Sequence, residues 1–97
     1  MQTKRPQAVA VLQIDNERVR VTEWRFADNA ETGWHRHQFD YVVVPGKNGK
    51  LAIETPDGAS STVELTAHAS YFRSAGVEHN VINASDGPFS FVEIELK

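Results

Sequence analysis

A chain of 97 residues has room for one hydrophobic core, and its 40% apolar content, with five Phe, two Tyr and two Trp, predicts a packed globule. Thirteen acidic against ten basic side chains leave a net charge of −3, with no basic run beyond Lys4-Arg5, so no nucleic-acid partner is expected. The absence of cysteine excludes a disulfide framework, a thiolate metal site and a thiol nucleophile, so any metal must be held by His, Asp, Glu or water.

In chain order, polar residues 1–7 are expected to be a loose start to a single domain spanning 1–97. The apolar run Ala8 to Leu12 is far too short to cross a bilayer, and nothing there resembles a signal peptide. A cytoplasmic location without a membrane partner follows as the expectation. Short segments rich in β-branched and aromatic residues then succeed one another: Val9 to Ile14, Arg18 to Phe26, Tyr41 to Val44, Leu51 to Thr55, Val63 to Leu65, Val77 to Ile82 and Phe89 to Leu96. Turn residues such as Asp15-Asn16, Gly46-Lys47-Asn48-Gly49, Pro56-Asp57-Gly58, Ser74-Ala75-Gly76 and Ser85-Asp86-Gly87-Pro88 separate them. This spacing predicts an all-β sandwich or barrel.

Alternation assigns faces. In Val92-Glu93-Ile94-Glu95-Leu96 the carboxylates oppose the apolar residues, which predicts a strand with Glu93 and Glu95 on its wet side. Val19 and Val21 hand over to Trp24 and Phe26 with a change of parity, predicting a bulge. Tyr41-Val42-Val43-Val44 is apolar on both faces and needs a second cover. A homodimer through the outer face of one sheet would supply it, as would the N-terminal segment.

Two of the four histidines stand in Gly33-Trp34-His35-Arg36-His37, where an extended backbone projects both imidazoles to one side. Alone, the pair reads equally as solvated loop histidines. His79 follows the turn at Gly76 on a face shared with Val77, Val81 and Asn83, and alone reads as a core histidine. Together His35, His37 and His79 form a set of three nitrogens that a two-sheet sandwich can bring together around one ion.

These two segments resemble the paired signature motifs of the cupin superfamily, with Gly33, His35 and His37 in the first and Gly76, His79 and Asn83 in the second. The stretches Val21-Thr22-Glu23-Trp24, Asp40 to Pro45 and Phe91 to Glu95 further resemble the small cupins named for a role in β-alanine degradation. The resemblance implies a single-domain jelly-roll β-barrel, or double-stranded β-helix, with His35, His37 and His79 binding one divalent metal: iron, manganese, nickel or zinc. Where the family places a motif glutamate, this chain has Tyr41 and Val42. Asp40 is the nearest carboxylate, and either ligates or caps a backbone N–H or accepts from a ligand imidazole.

Tyr71 and Arg73 share one strand face and either hold a substrate carboxylate at the pocket mouth, which a guanidinium suits, or belong to a surface ladder; Trp34, beside His35, is a candidate pocket wall. His68 lies in a connection and Glu78 on the face opposite His79, so both are expected at the surface. No nucleophilic serine motif or phosphate-binding loop is present. The function expected is that of a metal-dependent enzyme, dioxygenase-like or of other lyase or isomerase type, acting on a small carboxylate-bearing metabolite. The alternatives are a metal or small-ligand binding cupin serving as sensor or accessory protein, and a structural dimer with vestigial histidines.

Overall fold

A computed structural model describes residues 4–97. Nine strands follow one another: β1 Val9–Asp15, β2 Val19–Phe26, β3 His35–Arg36, β4 Asp40–Pro45, β5 Gly49–Glu54, β6 Ser60–Leu65, β7 Tyr71–Arg73, β8 Glu78–Asn83 and β9 Phe89–Leu96. No helix is present among the described residues. The strands form a five-stranded sheet, β1-β2-β9-β4-β7, and a four-stranded sheet, β3-β8-β5-β6, with every pairing antiparallel. Non-sequential neighbours such as β2-β9 and β5-β8 cross between the two halves of the chain, the double-stranded wrapping of a jelly roll.

The inner faces make the core. Phe26, Phe89 and Phe91 stack tilted at one end, with ring centroids 5.4 Å apart for Phe26–Phe91 and 6.4 Å for Phe89–Phe91. Tyr41, Val43, Leu51, Leu65 and Val81 continue it towards the histidines. Gly49 is required by a close approach. A Cβ there would stand 2.5 Å from Ser85 Oγ and 2.6 Å from the Phe89 ring, below any real contact.

Three sequence expectations are corrected. Residues 1–3 lie outside the described chain, but 5–7 are tied down rather than loose. Pro6 O accepts from the Glu31 N–H at 2.9 Å, Gln7 Nε2 donates to Thr32 O at 2.8 Å, and Arg5 pairs with Glu31 at 3.4 Å. Next, β2 runs against β9 in unbroken register from Val19 to Phe26, so the parity change there is no bulge: Val19 and Val21 face outward while Trp24 and Phe26 face in. The register shift lies in β1, between Leu12 and Ile14. Last, the faces of β9 are reversed. Phe89, Phe91 and Glu93 are buried, so the carboxylates Glu93 and Glu95 lie on the core side and Val92, Ile94 and Leu96 on the outer side.

Strand β1 lies at the edge of the sheet that contains β4, so it cannot cover that sheet's outer face. That face carries Val9, Ile14, Phe72 and Leu96, respectively 57%, 48%, 52% and 40% exposed. Gly49→Ala is expected to lower stability by about 1–3 kcal/mol through overpacking against Phe89. A urea titration of the variant beside the unaltered protein checks this as a lower midpoint with the same slope.

Candidate metal centre

Backbone register delivers the histidines to one another. His35 on β3 is the direct antiparallel partner of His79 on β8, so their side chains leave the sheet on the same face at neighbouring positions. One step further, His37 N–H donates to Val77 O at 2.9 Å and Gly76 N–H to His37 O at 2.8 Å, with Gly76 at a φ of 98° that admits the turn. The His-x-His segment and the glycine turn therefore lie side by side, and the third imidazole joins the first two.

The three Nε2 atoms converge. His37 Nε2 stands 3.1 Å from His35 Nε2 and 3.2 Å from His79 Nε2. Two nitrogens bound to one ion at about 2.1 Å stand roughly 3.0 Å apart at a right angle and roughly 3.4 Å apart at the tetrahedral angle. The separations fall between these values, so the set fits a single divalent ion. His35 Nδ1 lies 2.9 Å from Gly33 O, which can only accept, so the proton sits on Nδ1 and the lone pair on Nε2 faces the other imidazoles. Burial, followed by the neighbouring His35, pushes His37 down to about 4, and burial also takes His79 down to about 4. Both rings are thus neutral near pH 7, as metal ligands must be.

A support network stands behind the histidines. Asn80, 2% exposed, accepts from the Gly33 N–H at 3.0 Å through Oδ1, and its Nδ2 donates to Glu31 at 2.8 Å and Glu54 at 2.9 Å. It thereby holds Gly33, the residue whose carbonyl orients His35. Tyr41 stacks on His37, with ring centroids 3.8 Å apart and planes 19° apart. Asn83 ties two turns together, donating to Ala27 O in one and to Gly87 O in the other, where it also accepts from the Ser85 N–H.

The structure separates Asp40 from this group. Because Tyr41 faces inward on β4, Asp40 faces outward, and its Oδ1 accepts from the Ala75 N–H at 2.7 Å, bracing the turn before Gly76. Tyr71 lines the cavity beside the histidines. Arg73 is exposed, its guanidinium 4.6 Å from the centre of the Tyr71 ring, with Nη1 donating to Phe72 O. Trp34 is 57% exposed and takes no part in the cavity wall. His68 and Glu78 are at the surface.

Sequence reasoning missed Glu93. This carboxyl is 8% exposed, and its Oε2 stands 3.9 Å from His37 Nε2. Desolvation pushes it up to about 7; the Glu95 charge adds to the rise and a hydrogen bond from Trp24 opposes it. The signal was available one turn upstream: Phe89 and Phe91 share the parity of Glu93, and two buried phenylalanines fix that face as the core. The cavity that Glu93 shares with His35 and His79 also takes in Trp24, Tyr71 and Phe91, and encloses about 30 Å3.

A two-sheet jelly roll with a three-histidine cluster between two antiparallel motif segments defines a cupin. Known structures agree: the chain superposes on a cupin domain from Bordetella pertussis Tohama I with a TM-score of 0.95 and 62% identity, each covered to 99%. At 10% identity, a cupin family protein with a double-stranded β-helix fold from Methanocaldococcus jannaschii shares the fold alone, with a TM-score of 0.76 over 99% of this chain and 85% of that one. No family model matches the chain. Among curated proteins it is 60% identical over 93 residues to the β-alanine degradation protein BauB of Pseudomonas aeruginosa, covering 96% of this chain and 97% of the relative. The chain belongs to the family of small cupins that includes this protein.

The pKa shifts fix a pH dependence for the metal-free protein. His37 and His79 bind protons less well folded than unfolded, so their contribution is lost as pH falls from about 6.5 towards 4. Glu93 acts oppositely, because its raised value favours the folded state below about 4.5 and that contribution fades as pH rises towards 7. Two imidazoles outweigh one carboxyl. The urea midpoint of apoprotein is therefore expected to fall between pH 6.5 and 4.5, and Glu93→Gln to steepen the fall.

Proposed function

We propose that this protein is a metal-dependent cupin enzyme acting on a small carboxylate-bearing metabolite in β-alanine catabolism. One observation carries the reading: three imidazoles aim their Nε2 atoms at a common point, with the Nδ1 of His35 held against the Gly33 carbonyl. A divalent iron, manganese, nickel or zinc ion there would supply Lewis acidity towards a carboxylate or carbonyl oxygen, and iron would add dioxygenase-type redox chemistry. The protein supplies the rest. His35, His37 and His79 hold the ion, and Asn80 and Gly33 keep His35 aimed. Arg73, above the Tyr71 ring, is placed to take a substrate carboxylate at the mouth. Glu93 Oε2 is the atom that can receive and return a proton inside the cavity, while Trp24 and Phe91 exclude water from it.

A second reading, binding without turnover as a sensor or accessory protein, has the cavity's size in its favour, since about 30 Å3 leaves little space for a substrate to move during reaction. The same proposal includes a cytoplasmic location and a homodimer. The outer face of the five-stranded sheet carries Val9, Ile14, Val42, Phe72, Val92 and Ile94, an apolar surface that a second copy would cover.

Elemental analysis of anaerobically purified protein is expected to find about one equivalent of metal, absent from the His35→Ala/His79→Ala variant. No metal after reconstitution with all four ions would overturn the enzyme reading. Metal uptake without turnover of any small carboxylate, with or without dioxygen, would favour the binding reading. Light scattering after gel filtration is expected to give a dimer, with Phe72→Glu/Val92→Glu monomeric and still able to bind metal. A monomer in the unaltered protein would refute the dimer.

A further inference from the structure

The outer face of the five-stranded sheet ends in a row unlike the rest of it. Val9 on β1 and Ser90 on β9 are the direct cross-strand partners of Arg25 on β2, and the parity of each strand turns all three side chains away from the core. Past Ser90 the row continues to Lys47, because the Gly46 N–H donates to Ser90 O at 2.9 Å and lays the β4–β5 turn alongside β9. Arg25 and Lys47 therefore flank the Ser90 hydroxyl.

These polar groups are left to meet a ligand. Arg25 Nε donates to Glu23 Oε1 at 2.7 Å, which fixes the guanidinium plane and leaves both Nη groups without an acceptor among the described residues. Lys47 Nζ has no ion-pair partner there, and Ser90 Oγ, which leans over the bare backbone of Gly46, has no hydrogen-bond partner. With Glu23 counted, the charges here still sum to a positive patch on a protein whose net charge is −3.

The same residues border a groove of about 420 Å3, walled by Val9, Ala27 and Pro88 with the buried Phe26 and Phe89 beneath. That volume lies in the range of roughly 300–1,000 Å3 of small-molecule sites, whose usual make-up is an apolar wall with a few placed polar groups. Cations and a hydroxyl at one side, with apolar surface at the other, select an anion that carries an apolar body. The groove shares no lining residue with the cavity beside the histidines.

We propose that this groove is a second ligand site, which holds the acid group of a small arylcarboxylate between Arg25, Ser90 and Lys47 and its ring system against Val9, Pro88 and the edges of Phe26 and Phe89. It stands apart from the metal centre and does not depend on it.

An amide NMR titration of the full chain at low ionic strength, with 2-naphthoate, 2-naphthamide and acetate as probes, tests the assignment. 2-Naphthoate is expected to shift the amides of Val9, Arg25, Lys47 and Ser90 saturably and to bind at least about tenfold more tightly than 2-naphthamide, as charge-assisted hydrogen bonds warrant. Acetate, which lacks the apolar body, is expected to bind at least about tenfold more weakly than 2-naphthoate. In Arg25→Gln/Lys47→Gln, two changes at exposed positions, the preference for the acid over the amide is expected to vanish. Equal affinity for 2-naphthoate and either of the other probes would overturn the proposal without need of a variant, and so would the absence of binding. A preference that survives in the variant, or shifts confined to residues around His35 and His79, would do the same. The other candidate occupant is a second copy of the chain, since Val9 belongs to the apolar outer face. If light scattering shows that Arg25→Gln/Lys47→Gln turns a dimer into a monomer, the groove belongs to the contact between copies and the proposal fails.

Discussion

The antiparallel pairing of His35 with His79 is the contact on which the site depends. A metal centre assembled from long side chains on separate loops must hold several rotamers in place; here the backbone ladder itself sets two ligands side by side, and the next hydrogen bonds, between His37 and the Gly76-Val77 peptide, set the third. The segment between His37 and His79, which are 42 positions apart, therefore matters to the centre only through the register it preserves. Asn80, Gly33 and Asp40 have their roles because they maintain that register: Asn80 and Gly33 by pinning the entry to β3, and Asp40 by bracing the turn into β8.

The two sheets divide the work. His35 and His79 come from the four-stranded sheet, and His37 from the segment that links it to β4. The aromatic and acidic groups of the cavity wall, Trp24, Tyr41, Tyr71, Phe91 and Glu93, come from the five-stranded sheet, while Leu51, Ile53 and Val81 of the other sheet complete it. The histidine cluster and the polar and aromatic wall beside it thus rest largely on different strands, in keeping with a fold that hosts many chemistries.

The fold and the three histidines were legible because each depends on local pattern: turn residues at regular spacing, β-branched segments between them, and histidines at a spacing that an extended chain projects to one side. The failures share one cause, the assignment of faces in strands with apolar residues at both parities. In Phe89 to Leu96 one face carries Phe89 and Phe91 and the other Val92, Ile94 and Leu96, so alternation read from the last five residues alone puts Glu93 in water. The same ambiguity gave β2 a bulge that it lacks, since Val19 and Val21 are apolar yet face outward. Asp40 was near enough in sequence to suggest a ligand, but the burial of Tyr41 fixes its neighbour on the other side. Trp34 adjoins a ligand in sequence and still points away from the cavity, because β3 is only two residues long and the chain before it is loop.

Strand β9 presents carboxylates to the interior and aliphatic residues to the exterior in strict alternation. Both faces are therefore encoded in one reading frame of the backbone. Inserting or deleting a single residue within it would drive Val92 and Ile94 into the cavity and turn Glu93 and Glu95 onto the apolar outer face, damaging both at once. Evolution can exchange side chains along this strand singly, but a change of length must fall in the turn at Ser85–Pro88, where it leaves the phase of the strand intact.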